Sequence, residues 1–511
     1  MKLTPLCRRY AGPAVLSAML LAMLYLVMLL YVAHEWLLAG TLLVIASLAL
    51  WTYTSAKTLA LRYLFPGVAA AAVFVVFPMV YTVAIGFTNY SSQNLLDFER
   101  ARQYLLDETY QDAAAKAYTL QLFKDAQQLR LQLTDSENAS DRFLSPPLDL
   151  AQTERLTVQM LQSGQALQGE PLGFKEVLAQ QDLLRRLDVK LPSGESLRMA
   201  SLREFAAVKN LYLEKPDGTL TNHKSGAVFH ANFDTGFFET DSGVQAPPGF
   251  KVNVGLAHYQ RIFTDPKFSE PFLRIFVWTV GFASLTVVFA ATLGMLLAVL
   301  LNWDSLRYQK LYQFMLFLPY AVPGFISILI FKGLFNQNLG EINMILDGLF
   351  GIKPAWFSDP FLAKAMILLV NTWLGFPYMM VVCTGLIKSI PADLYEASAV
   401  AGAGPVTNFF EITLPLILKP LTPLLISSFA FNFNNFVLIT LLTGGRPDFL
   451  DIAVPAGTTD ILVSYTFRIA FQDSGQQFAL ASAISTVIFF IVAAITLLQM
   501  RFTRIAQEDK R

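Results

Sequence analysis

The strongest constraint on this chain is the absence of charge over long stretches. Eight charge-free gaps run through residues 10–33, 36–56, 63–96, 275–303, 311–331, 365–387, 420–445 and 474–500. A bilayer core takes about 20 apolar residues of helix, and each charge at its centre costs roughly 2.5–3.5 kcal/mol. Each gap is long enough to cross. The expected fold class is therefore an all-α polytopic membrane protein with eight transmembrane helices, an even number that returns both termini to one side. Composition agrees: 54% of the 511 residues are hydrophobic and 15% charged, where a soluble chain carries about 25% charged residues.

The positive-inside rule chooses the side. With the termini inside, the inner segments hold 13 Lys and Arg, against five (Lys332, Lys353, Lys364, Arg446 and Arg468) in the short outer loops. This bias predicts cytoplasmic termini. It also places residues 91–271 outside, which in a bacterium is the periplasm. Arg8-Arg9 and the apolar run behind them resemble a secretory signal. That run exceeds the usual h-region of about 7–15 residues, however, and a second span follows almost at once, so residues 1–62 are expected to be two uncleaved anchors.

Residues 91–271 hold 24 acidic and 19 basic residues, more than half of all the charge. The block is long enough to fold as its own domain. Leu95, Phe98, Ala101 and Leu105, then Leu120, Phe123 and Leu131, repeat with helical spacing over 95–133. Turn signals at Lys190-Leu-Pro-Ser-Gly and Lys215-Pro-Asp-Gly, and the run Ala227-Val-Phe-His-Ala-Asn-Phe, predict strands further on. A mixed α+β domain is expected. It has no zinc-type Cys/His spacing, nucleophile elbow or paired-carboxylate signature. His223, His230 and His258 are scattered, and both cysteines, Cys7 and Cys383, lie outside the block. No metal site and no catalytic residue is expected, and binding is the work left to the domain. The whole chain has no basic tract or biased repeat, which excludes nucleic acid as a partner.

One loop on the expected inner side reads Glu396-Ala-Ser-Ala-Val-Ala-Gly402, then Ala-Gly-Pro-Val-Thr-Asn-Phe-Phe-Glu-Ile412-Thr-Leu414-Pro415. Pro391 suits the first turn of a helix, and Gly402-Ala-Gly404-Pro405 must end it near Ala401. Its small residues leave a narrow helix that fits a partner's groove, with Glu396 as an acidic anchor. Glu396, Ala397, Gly402, Ile412, Leu414 and Pro415 stand in the register of the EAA motif, with Ser398 in place of its second alanine. On these residues the chain resembles the permeases of binding-protein-dependent ABC importers. The resemblance implies that the loop 391–415 docks into an ATPase subunit and carries its closure to the membrane. This chain has no Gly-x-x-x-x-Gly-Lys-[Ser/Thr] loop. It is thus expected to be non-catalytic and without a cofactor of its own, ATP and Mg being held by a separate ATPase.

Two further stretches narrow the resemblance. Phe87-Thr-Asn89-Tyr90 and Gly255-Leu256-Ala-His258-Tyr259, followed by Asp265-Pro266-Lys-Phe268, are similar to pieces common in sugar-importer permeases, with His258 where asparagine is usual. Here residues 91–254 intervene, and two spans precede the usual six-helix core. That architecture resembles the larger permease family of maltose/maltodextrin importers. The implied organisation is two anchors over 1–62, a first core helix over 63–90, the insertion 91–271, the remaining core over 272–505, and a cytoplasmic tail over 506–511. The implied partners are a second homologous permease, an ATPase dimer, a periplasmic sugar-binding protein and the lipid bilayer.

In the seventh gap, Ser428, Asn432 and Asn435 fall at i, i+4 and i+7, a polar stripe on a helix in lipid, and Phe429, Phe433 and Phe436 share another face. Asn amides and aromatic rings complement sugar hydroxyls and ring faces. Spacing alone also allows plain interhelical hydrogen bonding, worth about 0.6–2 kcal/mol. The resemblance implies a maltose pocket drawing on Ser428, Phe431, Asn432 and Asn435, on Trp373, Gly375 and Tyr378, and on Tyr320. Pro319 and Pro323 should interrupt the fifth span, and Gly375 and Pro377 the sixth. An ion-coupled secondary transporter is the rival class, but it needs an intramembrane charge that the gaps lack. Another oligosaccharide or a polyol remains an alternative cargo.

Overall fold

The computed structural model describes residues 5–508, apart from 112–115, 126–127, 137, 139, 149–155, 163–170, 304, 453 and 473–475. Lys2, Asp304, Asp473, Lys510 and Arg511, which entered the span and charge counts, lie outside the described residues. The chain divides into two compact units. One joins Met1–Ser92 to Asn253–Arg511, and the other is Gln93–Val252.

Among the described residues the first unit has seven helices long and apolar enough to cross a membrane: Ala14–Val32, Trp36–Thr54, Ala56–Ile85, Pro266–Leu301, Pro360–Lys388, Pro405–Phe433 and Phe478–Arg501. Gln309–Ala321 and Gly324–Leu334 form an eighth only if taken together, because the pair is bent by 89°. Pro319 and Pro323 explain the bend. Proline removes a helical donor and pushes the residue before it into extended backbone, as Val322 is.

The sixth span departs from expectation. Pro360–Lys388 is one helix of 29 residues, unbroken at Gly375 and Pro377. Gly375 serves packing instead, since a Cβ there would stand 3.3 Å from Ala290 Cβ. Gly294 is tighter still: its Cβ would lie 2.7 Å from Met379 Cβ. These two glycines let the Pro266–Leu301 and Pro360–Lys388 helices approach closely, as small residues do between membrane helices. The seventh span is the one that breaks. Its helix stops at Phe433, and a short helix, Phe436–Leu442, follows.

Arg468, counted above as an outer-loop charge, is buried in the short helix Leu462–Phe471 and paired with Asp460 at 2.8 Å and Asp448 at 2.7 Å. Pairing is what a buried charge requires. Residues 253–271, assigned by charge to the insertion, pack with the membrane unit. Ile262 and Phe268 share a buried cluster with Phe429, Phe433 and Leu480.

The second unit is richer in strands than its sequence suggests. Asp97 caps the helix Phe98–Asp107, but Leu120, Phe123 and Leu131 are not helical. They lie in a hairpin, Ala117–Asp125 with Gln128–Asp135. Leu120 and Leu122 face Leu131 and Leu133 in the core, so the buried set has period two, and Phe123 and Leu131 only coincided with helical spacing. The hairpin is central to an eight-stranded sheet. Five strands from Tyr212–Glu214 to Gln245–Ala246 form an antiparallel meander, and the expected Lys215 turn joins its first two strands. The expected Lys190 turn joins Leu187–Lys190 to Ser196–Ser201 in the larger sheet.

The two separated sugar-permease stretches meet in the first unit. Val254 N–H donates to Phe87 O at 2.8 Å, and the Tyr259 and Phe87 rings lie 5.0 Å apart. His258 sits beside them with Nε2 buried and without a hydrogen-bond partner among the described residues. Burial holds its pKa below the ordinary histidine value, Arg261 adds repulsion, and a hydrogen bond with the Thr88 backbone opposes both. The fold thus prefers neutral His258, while the unfolded chain takes up a proton near pH ~6.5. Stability should be full above that pH and decline as pH falls through it. Thermal unfolding of the detergent-purified protein at about pH 7.5 and 5.5 should show a smaller acid loss for His258→Asn than for wild type. An unchanged gap would remove His258 as the cause.

Candidate functional site

A cavity of about 790 Å³ opens inside the first unit, at the two breaks just described. Tyr320 comes from the bent pair, Gly375 and Tyr378 from the Pro360–Lys388 helix, and Ser428, Phe431, Asn432 and Asn435 from the end of the seventh span and its break. Seven of the eight residues implied for a sugar pocket therefore line one space. Trp373 does not. It lies two residues before Gly375, and on a helix that spacing points to nearly opposite faces. Its ring packs edge-on to Phe331 at 6.2 Å and Phe376 at 5.7 Å, beside a separate groove.

Beside its aliphatic lining, the cavity presents two kinds of side chain suited to a ligand. The first is aromatic. Tyr320 and Tyr378 stack with ring centroids 6.4 Å apart and an interplanar angle of 18°. Phe431 is 71% exposed, so its ring contributes nothing to the core and is free to meet a ligand.

The second kind is amide, and sequence reasoning missed its centre. Asn371 Nδ2 donates to Asn432 Oδ1 at 2.7 Å and approaches Thr286 Oγ1 at 3.3 Å, while Asn435 Nδ2 donates to Asn371 Oδ1 at 3.3 Å. Asn432 Nδ2 also donates to Ser428 O at 2.8 Å. Asn435 is not on the same helix as Ser428 and Asn432. It caps the helix after the break, its Oδ1 accepting from Leu438 N–H at 3.4 Å. Interhelical bonding and cavity lining are thus both true of Asn432. Phe429 and Phe433 stay together at 5.9 Å, but Phe436 belongs to the next helix and packs on Phe467. A signal for Asn371 existed. It is a lone amide in an apolar run, four residues before Gly375 and seven before Tyr378, on one helix face.

No Asp, Glu, Lys or Arg lines the cavity among the described residues. Stacked rings, an exposed phenyl and neutral amides suit an uncharged ligand with apolar faces and hydroxyl edges.

The loop 391–415 is built as a projecting helix. Ala392–Val400 follows Pro391 and leaves Glu396 and Ala397 exposed, with Ser398 half-buried and bonded to Asn408. Gly402, at φ +81°, ends it. Gly402 N–H donates to Ala399 O and Ala403 N–H to Ser398 O, both at 3.0 Å. This paired closure needs a left-handed residue at the position of Gly402. Past Pro405, a π-helical turn, Phe409–Thr413, carries Ile412, and Leu414 and Pro415 open the next helix. The wide turn gives the Pro415 ring room where it would strike the carbonyl four residues back. Tyr395 OH meets Thr413 Oγ1 at 2.9 Å and ties the projecting helix to this turn.

Comparison with known proteins decides the family. Residues 96–255 match the family described as "Maltose transport system permease protein MalF P2 domain", and residues 290–507 match "Binding-protein-dependent transport system inner membrane component". The chain is 48% identical over 98% of its length to the maltose/maltodextrin transport system permease protein MalF of Vibrio cholerae, covering 96% of that protein. The chain belongs to the MalF family. MalF of Salmonella typhimurium is 50% identical over 94% of both chains, and that of Escherichia coli K12 is 48% identical over 94% of each. The P2 match falls on the strand-rich second unit, and the inner-membrane component match takes in the loop 391–415 and most of the cavity.

Asn371 should hold this MalF-family cavity together. Asn371→Ala leaves Asn432 Oδ1 and Asn435 Nδ2 without their partner, at a cost of about 1–3 kcal/mol. Its melting temperature in detergent should fall clearly below that of wild type. An unchanged melting temperature would mean that the amides re-pair without it.

Proposed function

We propose that this chain is the membrane-spanning permease subunit of an ATP-driven, binding-protein-dependent importer of maltose and maltodextrins. The observation that carries the reading is the cavity. Aromatic faces and neutral amides converge at two helix breaks in a chain nearly half identical to maltose/maltodextrin permeases. Tyr320, Tyr378 and Phe431 supply stacking surfaces. Ser428, Asn432 and Asn435, held by Asn371, present amide and hydroxyl groups to the sugar. Trp373 supports this arrangement through Phe331 and Phe376.

The exposed helix at Glu396 and Ala397 docks into a separate ATPase subunit, and ATP and Mg are bound there. The bent pair counts as the fifth of eight spans. The termini lie in the cytoplasm with the projecting helix, following the basic bias, and the strand-rich unit faces the periplasm, where it meets a sugar-loaded binding protein. A second homologous permease completes the pathway.

Phe431 tests the cavity without disturbing the fold. Phe431→Ala removes one stacking surface worth about 0.5–1.5 kcal/mol, so the half-saturating maltose concentration should rise about 2- to 10-fold. The melting temperature should stay at its wild-type value. Uptake with unchanged half-saturation would place the sugar elsewhere.

Gly402 tests the coupling loop. Gly402→Leu forces a branched side chain into left-handed backbone, at a cost of roughly 1–2 kcal/mol, and unwinds the closure of the projecting helix. Maltose uptake should be lost while the protein still reaches the membrane at normal amounts. Normal uptake, with the ATPase still co-purifying, would refute the docking role.

A further inference from the structure

A second, smaller cavity, about 460 Å³, lies where the Pro266–Leu301 and Pro360–Lys388 helices begin. Its walls include Leu273, Val277, Arg274, Lys364, Phe449 and Thr458. Leu273 and Val277 are 61% and 62% exposed. They stand on a helix of 36 residues, some 54 Å long at 1.5 Å per residue and so longer than the roughly 30 Å hydrocarbon core. Its first turns therefore pass through the zone where headgroups meet acyl chains.

The two cations in this wall differ. Arg274 is already matched, with Glu270 at 2.6 Å, Asp451 at 2.8 Å and the Phe449 ring beneath its guanidinium. Lys364 has no carboxylate partner among the described residues, and its ammonium lies 4.7 Å from the centroid of the Trp278 ring. The ring face offsets part of the ammonium's lost hydration but supplies no acceptor. The Thr458 hydroxyl in the same wall is buried and also lacks a hydrogen-bond partner among the described residues. An unmatched cation and an unused hydroxyl thus stand beside two exposed aliphatic side chains at headgroup depth.

We propose that this cavity binds a phospholipid headgroup, with the phosphate on Lys364 and Thr458 and an acyl chain along Leu273 and Val277. A phosphate oxygen forms a charge-assisted bond with the ammonium and accepts from the hydroxyl. Glu270 and Asp451 outweigh Arg274 by one charge, so the phosphate is taken by Lys364 and the Thr458 hydroxyl and not by Arg274. This inference does not depend on which sugar the larger cavity takes.

The test is native mass spectrometry of the delipidated full chain, titrated with phosphatidylglycerol. Lys364→Met should weaken the tightest lipid adduct about tenfold or more, and Lys364→Arg should retain it. A diacylglycerol with the same chains should not form this adduct, and inorganic phosphate should not displace it. If Lys364→Met does not fold, the paired change Leu273→Ser and Val277→Ser should give the same loss. Wild-type retention by the folded lysine or paired variant would overturn the site, leaving Lys364 a side chain that merely reaches for water. Equal binding of diacylglycerol would reduce it to an apolar groove, and displacement by phosphate alone would make it a free-anion site.

Discussion

Hydrocarbon offers no hydrogen bonds, so the backbone polar groups of the membrane unit need partners within the protein. That requirement explains where this chain can afford to stop being helical. The bent pair and the break after Phe433 open onto one cavity, so the interrupted backbone borders a space with polar groups in its wall. The amides around the second break satisfy one another. Asn371 bridges to Asn432 and Asn435, and Asn435 in turn caps the helix that restarts the span. The same network that makes the break tolerable leaves a neutral polar surface, and that surface is what a sugar needs.

Close packing sets the position of the rest. Gly294 and Gly375 let the Pro266–Leu301 and Pro360–Lys388 helices approach closely, with Asn371, Gly375 and Tyr378 turned to the cavity and Trp373 away from it. Breaks and packing answer different demands, and proline marks only some of the breaks. Pro319 and Pro323 produce an 89° bend, whereas Pro377 lies buried within a continuous helix. The bend lies where Val322, before Pro323, is extended, whereas Pro377, like Pro420 and Pro423, removes one bond from an otherwise supported helix.

Much of this was legible in the sequence because charge avoidance in lipid is severe. Seven apolar helices and the bent pair follow from it, and the projecting helix follows from Pro391 and Gly402. What was not legible has a physical cause in each case. Leu120 and Leu131 fit a helical period by coincidence, since in a run rich in leucine a period of two and one of 3.6 share positions. Asn371 looked like an isolated amide because its partners Thr286, Asn432 and Asn435 lie on other elements. Asn435 looked like the end of a stripe because spacing cannot reveal where a helix stops. Trp373 entered through family resemblance, and only the helix face separates it from the cavity.

The seventh span joins the two functional parts directly. The helix Leu414–Phe433 has 20 residues, about 30 Å at 1.5 Å per residue. Leu414 and Pro415 at its start belong to the loop 391–415, and Phe431 and Asn432 at its end line the cavity. Tyr395 fastens the projecting helix to the π-helical turn at the foot of this span. Displacing the projecting helix must therefore load the foot of a helix whose far end holds the amides. The far end is anchored by the buried Phe429, Asn432 and Phe433, and the helix stops just beyond them. On the proposed reading, closure of the ATPase reaches the sugar by shifting one rigid helix against the Asn371 bridge, and the break at Asn434 lets that end move while Phe436–Leu442 remains packed.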